Sequence, residues 1–489
     1  MLFNSLSYAV FLPLVCLAYY AAPQKARWAV LLAFSYYFYM SWDPELIVLI
    51  LLTTAISYTA GRVISAAKTV RLRRGALAAG VGFCLLPLFF FKYFNFFSGS
   101  VTALFERFGM SLSPPMLQLI LPVGISFYTF QTLSYVVDVY RGVLPAERHF
   151  GLYALYVSFF PQLVAGPIER AGSLLPQFRT VHRFSTAQCS AGLRKIGVGL
   201  FKKIVIADYI STFVNAVYND LPGKTGLTLL FATALFAVQI YCDFSGYSDI
   251  AVGSAKILGF DLMENFKSPY FAASVREFWR RWHISLTTWF TDYIYIPLGG
   301  SRCGAARHLG NLLVTFLLSG LWHGASWTFV CWGLYHGLWL CAESAYAKRL
   351  DALQLRLGRS AGGIALRTVR TLATLGIVVV GWVFFRANSL ADADYIFANL
   401  LRGLNPLRLP EYMASAGMGI PQLLCVGVLL AVLAAYDGIS YFKAPALTLL
   451  CQKRPALRYV FYWALGASIL LALMLRPFGA AADFIYFQF

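Results

Sequence analysis

Four of the six histidines fall within residues 274–337, and two of them are placed where a proton-transfer group would be useful. His323 lies between Trp322 and Gly324, at the junction of two long apolar runs, and His283 follows a basic stretch. Imidazole has a pKa of about 6.5, so it can accept or release a proton near neutral pH. A histidine among tryptophans in a water-soluble core is usually a packing residue. Inside a membrane, desolvating an imidazole is costly, so we predict chemical roles for His323 and His283.

The sequence around His283 predicts one amphipathic helix. Residues three, four and seven apart share a helix face. Five residues would therefore form one stripe: Arg276, Trp279, Arg280, His283 and Thr287. His336 is the weaker third histidine. On an unbroken helix it would turn away from His323, because successive residues rotate by about 100°.

Composition indicates a membrane protein that has to hold these residues within apolar helices. Of the 489 residues, 59% are hydrophobic and only 12% are charged, and the mean hydropathy is +0.66. We predict an all-α polytopic membrane protein with about eleven to thirteen membrane segments, since several apolar runs approach 20 residues. Some runs are interrupted by glycine and proline, among them FFPQLVAGPIER at residues 159–170, and are expected to be re-entrant or broken helices. Residues 1–489 are predicted to form one integral-membrane domain.

The net charge of +19 lies in short loops rather than on one soluble face, which argues against a nucleic-acid partner. Residues 61–75 carry five basic residues and residues 441–458 carry four, with no acidic residue in either, so both are predicted to be cytoplasmic. Residues 192–210 are expected to form an amphipathic helix at the cytoplasmic surface. It would present to anionic membrane lipids four basic side chains, Arg194, Lys195, Lys202 and Lys203. The nine cysteines show no zinc-type spacing, and no metal site is predicted.

Two acidic residues lie in the most polar of the apolar runs. Asp243 and Asp249 bracket Gly246, and carboxylates in a membrane span require partners or water. An ion-pair network is the favoured interpretation and a catalytic acid is the alternative. The expected partners are Arg276, Arg280 and Arg281.

Several long motifs together resemble the membrane-bound O-acyltransferase family, in its bacterial branch that is similar to alginate O-acetylation proteins. These are LPVGISFYTFQTLSYVVDVYRG, FFPQLVAGPIER, QIYCDFSGYSDIA, NFKSPYFAASVREFWRRWHISLTTWFTDYIYIPLGG, SGLWHGASWTFVCWGLYHG and WVFFRANSLADA. They span residues 121–393, the predicted family core, and leave residues 394–489 for further spans and an aromatic tail. The resemblance implies a helical core around a central tunnel, with His323 as the catalytic histidine and His283 as the second active-site position. His336 is a recurrent feature of this branch.

The implied reaction moves an acyl group from a thioester to a hydroxyl. It needs a base for the hydroxyl proton, and a second imidazole or the Trp322 indole N–H can stabilise the oxyanion. Guanidinium groups pair well with phosphate, so acetyl-CoA is the expected co-substrate, with no bound cofactor. The predicted donor- and substrate-binding residues are Arg276, Arg280, Arg281, Trp279, Trp322, His336, Asp243 and Asp249.

The last eight residues, ADFIYFQF, are an aromatic tail over residues 482–489. Membrane proteins commonly end in interfacial aromatics. This tail also resembles the F-x-Y-F-x-F motif of cell-envelope acylation systems, which implies that the phenol of Tyr486 carries the acyl group transiently. A phenol leaves more readily than a sugar hydroxyl. The implied partner is an extracytoplasmic acetyltransferase that modifies a polysaccharide.

The expected function is therefore O-acetylation of an exported or cell-envelope polysaccharide, such as alginate, cellulose or peptidoglycan, from the cytoplasmic (inner) membrane of a bacterium. Two alternatives remain open. The motifs also resemble the D-alanyl transfer protein of teichoic acid modification, whose donor is a carrier protein. A polysaccharide or small-molecule transporter is the alternative from another class, although the sequence contains no inverted repeat and no nucleotide-binding loop.

Overall fold

The computed structural model describes residues 1–111, 114–164, 166–442, 455–475 and 484–485, and within these ranges the chain is helical with no strand. The chain forms two compact units. The first comprises Met1–Ile196 and Tyr247–Met263, and the second comprises Gly197–Gly246 and Glu264–Phe489. The single-domain organisation over residues 1–489 stays a prediction.

The first unit is built from the early helices and from parts of α10 and α12. Ser5 and Thr69 cap α1 and α4 by accepting hydrogen bonds from backbone N–H groups of the first turn, and Pro44 starts a short 3₁₀ turn before α3. The helices are α1 Leu6–Ala21, α2 Arg27–Met40, α3 Ile47–Ala66, α4 Val70–Leu88, α5 Phe94–Glu106, α6 Ile125–Arg141, α7 Phe150–Ser158, α8 Phe160–Leu163, α9 Ala171–Arg179, α10 Thr186–Leu200 and α12 Gly226–Ile257.

The second unit contains the rest of α10 and α12 and the later helices, including the pair that carries His323 and His336. Short helices alternate here with long ones, so several chain breaks lie next to long apolar helices. The helices are α11 Asp208–Tyr218, α13 Val275–Trp279, α14 Ile284–Phe290, α15 Ala305–His323, α16 Trp327–Leu357, α17 Ala361–Arg386, α18 Leu390–Asn399, α19 Leu409–Ser415, α20 Ile420–Phe442 and α21 Pro455–Met474.

Six helical segments of the described chain are long and apolar enough to cross a membrane, and the shorter Leu6–Ala21 is also apolar. They are Pro44–Ala66, Val70–Glu106, Gly226–Ile257, Ala361–Arg386, Ile420–Phe442 and Pro455–Met474. These spans confirm the prediction of an all-α polytopic membrane protein. The total of eleven to thirteen segments, which includes short and broken helices, stays a prediction.

The break expected near residues 159–170 is confirmed. Helix α7 ends at Ser158, and the four-residue α8 follows a non-helical Phe159. The interrupted backbone is satisfied by side chains, since Gln162 Nε2 donates to the Tyr156 carbonyl at 2.7 Å. Glu169 is buried there and accepts the Met263 N–H at 2.6 Å. Burial raises the pKa of Glu169 to about 7, against the lowering effect of this hydrogen bond and of Arg170.

The surface helix expected over residues 192–210 is wrong in its second half. A π-helical segment, Phe201–Ala207, follows α10, and its extra residue per turn changes which side chains point inward. Lys202 and Lys203 are therefore buried rather than presented to lipid. Lys203 forms ion pairs with Asp208 and Asp243, which offset the cost of burying its charge.

Candidate active site

His323 is the last residue of α15, and the loop of three residues after it leads into α16. The two helices form a hairpin, so the apolar runs on either side of His323 become neighbouring helices, as the sequence predicts. The His323 side chain is buried. Its position at the carbonyl end of α15 stabilises positive charge there, which suits a residue that takes up a proton.

His283 lies at a chain break and not within a continuous helix. Helix α13 ends at Trp279 and α14 begins at Ile284, with His283 between them in the left-handed region at φ 44° and ψ 55°. The prediction of one helical stripe from Arg276 to Thr287 is therefore wrong. A left-handed conformation ends a right-handed helix and is uncommon outside glycine, with asparagine, aspartate and histidine the residues that adopt it most often after glycine. Such strain commonly occurs at functional sites, where the surrounding fold maintains it.

The indole of Trp322 contacts both histidines. Its ring centre is 5.7 Å from that of His283 and 5.0 Å from that of His323. Burial lowers the pKa of His283 to about 3, so its imidazole is neutral at physiological pH and keeps one N–H to donate. A base, a neutral N–H donor and an indole therefore lie within one buried cluster, which is the set that acyl transfer to a hydroxyl requires.

His336 belongs to the same aromatic cluster as His323. Its ring is fully buried, 5.1 Å from Trp332 and 5.0 Å from Trp279, and Trp332 is itself 5.0 Å from His323. Because the chain breaks after His323, His336 lies on a second helix and not on the far side of the first. Within the described residues its ring nitrogens make no hydrogen bond. Gly381 makes room for it, since a Cβ there would lie 2.5 Å from His336 Nε2.

Two of the three predicted arginines line a cavity of about 210 Å³, whose wall also contains Glu277 and Asp351. Arg276 and Arg280 are exposed at its wall, and Arg370 joins them from α17. Glu343 forms the buried side and accepts the Val275 N–H at 2.7 Å. Arg281 does not line this cavity in the described chain. It pairs with Glu277 at 2.9 Å and stacks on the Tyr441 ring at 4.3 Å.

The two aspartates form ion pairs with lysines and not with the predicted arginines. Asp243 forms an ion pair with Lys203 at 2.7 Å, in the second unit. Asp249 belongs to the first unit and pairs with Lys195 at 3.4 Å. Lysines from the preceding helical segment reach these positions because that segment runs alongside α12. The ion-pair interpretation is confirmed, and the choice of arginine partners was wrong. Tyr486 lies outside the described residues.

Sequence reasoning missed the aromatic residues that enclose His323. Phe385 and Trp332 have ring centres 5.2 and 5.0 Å from it, and Trp382 stacks on Trp332 at 6.1 Å. The motif WVFFR, which contains Trp382 and Phe385, carried the signal, although it was read only as part of a resemblance. Glu343 was also missed. It lies seven residues after His336, so the two share a face of α16.

These residues form a polytopic helical membrane protein in which two buried histidines contact one indole. The model of the membrane-bound O-acyltransferase family matches residues 148–381. The chain is 40% identical over 451 residues to the probable alginate O-acetylase of Azotobacter vinelandii, covering 90% of this chain and 85% of that protein. It therefore belongs to the membrane-bound O-acyltransferase family and is an acyltransferase. The family-model match lies inside the predicted core of residues 121–393.

Two further relatives are similar to the chain at lower identity. The peptidoglycan O-acetyltransferase of Helicobacter pylori is 32% identical over 443 residues, covering 84% of this chain and 81% of that protein. The teichoic acid D-alanyltransferase of Bacillus subtilis is 27% identical over 285 residues, covering 56% of this chain and 68% of that protein. The O-acetyltransferase relatives thus match a greater part of the chain at higher identity.

Proposed function

We propose that the chain is an O-acetyltransferase of the bacterial cytoplasmic (inner) membrane that acts in O-acetylation of an exported or cell-envelope polysaccharide. The observation that carries this proposal is that His283 and His323 are both buried and both contact the Trp322 indole. The names of the alginate and peptidoglycan relatives support acetyl as the group and a polysaccharide as the final acceptor. The family membership sets the transporter alternative aside.

In the proposed reaction, His323 takes the proton of the acceptor hydroxyl while the hydroxyl oxygen forms a bond to the acetyl carbonyl carbon. The carbonyl oxygen then carries negative charge, and the N–H of His283 or Trp322 stabilises it. The carbon–sulfur bond breaks as the carbonyl re-forms. The thiolate leaves with the proton that His323 held, so free CoA and an acetyl ester are the products.

Arg276 and Arg280, exposed at the wall of this cavity, support acetyl-CoA as the donor, because guanidinium groups pair well with phosphates. Arg370 is paired there with Asp351 at 2.7 Å. Arg281 stacks on Tyr441 near the end of α20, and Tyr441 is the first residue of the sequence stretch 441–458 that is predicted to be cytoplasmic. This neighbourhood supports donor binding on the cytoplasmic side. Membrane lipids surround the apolar spans.

The first acceptor in the proposal is the phenol of Tyr486, which passes the acetyl group to an extracytoplasmic partner acetyltransferase. A phenol, with a pKa of about 10, is a poorer leaving group than a thiol and a better one than a sugar hydroxyl, so both transfers run downhill. The neighbouring Phe484 and Ile485 support this route, since both are buried in the unit that contains His283 and His323.

The test incubates the purified full chain with radiolabelled acetyl-CoA and maps any hydroxylamine-labile label. Wild-type protein should be labelled on the peptide containing Tyr486, and Tyr486→Phe should lose the label while still releasing CoA to an added acceptor. A parallel incubation uses D-alanyl carrier protein. Labelling from that donor and not from acetyl-CoA would contradict the proposal and favour the D-alanyl alternative. Full polymer acetylation by Tyr486→Phe in cells would contradict the relay.

A further inference from the structure

Two residues of the aromatic tail lie in the interior of the second unit. Phe484 and Ile485 are 0% and 2% exposed. The Phe484 ring centre is 5.7 Å from that of Phe244, and Phe244 is in turn 4.6 Å from His283. One phenylalanine ring therefore separates this part of the tail from a predicted catalytic histidine.

The backbone of the tail is held by a carboxylate. The Ile485 N–H donates to Asp243 Oδ2 at 2.9 Å, while the other oxygen of Asp243 faces Lys203 Nζ at 2.7 Å. Hydrogen bonds from a backbone N–H to an ionised carboxylate are among the stronger ones in proteins. Asp243 thus connects the tail to a buried cation through its two oxygens.

Lys203 is shared between two carboxylates. It lies 3.0 Å from Asp208 and 2.7 Å from Asp243, and all three side chains are buried. The pair Lys203 and Asp208 would satisfy each other without Asp243. Gly246 brings Asp243 within reach, because a Cβ there would lie 2.7 Å from the Gly199 carbonyl oxygen and would push α12 away. The fold therefore buries a second carboxylate, despite the free-energy cost of desolvating it, at the position where it accepts the Ile485 N–H.

We propose that Asp243 is a positioning residue, which we call the seat of the tail: it accepts the Ile485 N–H and so holds Phe484 and Ile485 against Phe244, which contacts His283. Lys203 pairs with the Asp243 carboxylate and orients it, and Phe244 provides the apolar wall. The seating itself is independent of the reaction. Its consequence for acetyl transfer to the tail rests on the proposed function.

The seating is tested by hydrogen exchange of the Ile485 amide in the purified full chain, without donor. Asp243→Leu removes the acceptor and leaves Lys203 paired with Asp208. Asp208→Leu is the matched control, since it leaves Lys203 paired with Asp243. Exchange of the Ile485 amide should be about tenfold or more faster in Asp243→Leu than in wild type, because a charged hydrogen bond is lost, and near wild type in Asp208→Leu. Equal exchange in wild type and Asp243→Leu, or equal acceleration in both variants, would overturn the seat.

The consequence is tested from the other side of the contact. Ile485→Pro removes the donor N–H without altering α12, and Ile485→Val keeps it. Ile485→Pro should label the tail about tenfold more slowly than Ile485→Val at an unchanged KM for acetyl-CoA, and adding Asp243→Leu should slow it little further, because both changes remove one contact. Equal rates for the two variants, or additive losses, would overturn a positioning role.

The two proposals fail in different ways. If wild-type protein shows no label on the tail but the exchange pattern is as expected, the tyrosyl relay is wrong and the seat stands. If the exchange pattern is absent, the seat is wrong, whether or not the tail is labelled.

Discussion

The ion pairs of Lys203 are the feature whose removal should have the largest structural effect. The side chain is 1% exposed and lies between Asp208 at 3.0 Å and Asp243 at 2.7 Å. Lys203→Met keeps a side chain of similar length but removes the charge that both contacts share. The buried carboxylates of Asp208 and Asp243 would then lose their ion pairs with this cation.

Breaking a buried ion pair by removing one partner typically costs about 3–5 kcal/mol, because an uncompensated charge remains. Uptake of a proton by one aspartate would limit the loss to this range rather than to twice this range. For a chain of this size, a few kcal/mol corresponds to a decrease of roughly 5–10 °C in the thermal midpoint. Lys203→Arg keeps the charge and should lose less.

The assay is thermal unfolding of the purified protein in one detergent at pH 7.5. The triple variant with Lys203→Met, Asp208→Asn and Asp243→Asn should recover most of the loss, since no buried charge then remains unpaired. A thermal midpoint for Lys203→Met within about 2 °C of wild type would refute the reasoning. Failure of the triple variant to recover would show that shape, and not charge, explains the loss.

Three further outcomes are expected. The raised pKa of Glu169, about 7, means that the folded state binds this proton more tightly than the unfolded state, so the Glu169 contribution favours folding at low pH and is lost between pH 4.5 and 7. This contribution changes the free energy of unfolding by up to about 3 kcal/mol between pH 4.5 and 7, and Glu169→Gln should abolish that change in thermal unfolding measured over a pH series. An unchanged pH dependence of the midpoint would contradict the prediction. Gly381→Ala places a Cβ 2.5 Å from His336 and should cost about 1–3 kcal/mol, whereas Gly376→Ala on the same helix meets nothing within 4 Å; equal midpoints for the two would exclude the clash. Trp322→Phe keeps an aromatic side chain and removes the indole N–H, so kcat should fall about tenfold or more at constant KM. A change in kcat of less than about twofold would exclude this N–H as the oxyanion donor.

The helical class and the location of His323 could be predicted because they depend on local pattern. Two apolar runs meet at Gly324, and α15 and α16 end and begin on either side of it. The break before Glu169 could be predicted in the same way, because Pro161 lacks the N–H that would continue α7 and fits only in the first turn of a new helix, α8. Such features need no knowledge of distant contacts.

The errors all concern contacts between distant parts of the chain. His283 reads as a helical residue in its local sequence, yet tertiary packing against Phe244 and Trp322 accompanies a left-handed conformation. Lys203 reads as a surface residue, because its two aspartate partners become apparent only when α12 is packed beside the π-helical segment. Charge pairing by sequence proximity therefore favoured arginines that lie on another element.

The central claim is that His323 performs the proton transfer. The most direct measurement is the rate of CoA release from acetyl-CoA by purified wild-type protein, by His323→Gln and by His308→Gln, a control with the same substitution near the start of the same helix. His323→Gln should lose about 10²-fold or more, because general base catalysis contributes that much, while His308→Gln should stay near wild type. Retention by His323→Gln of a rate within threefold of wild type would contradict the account.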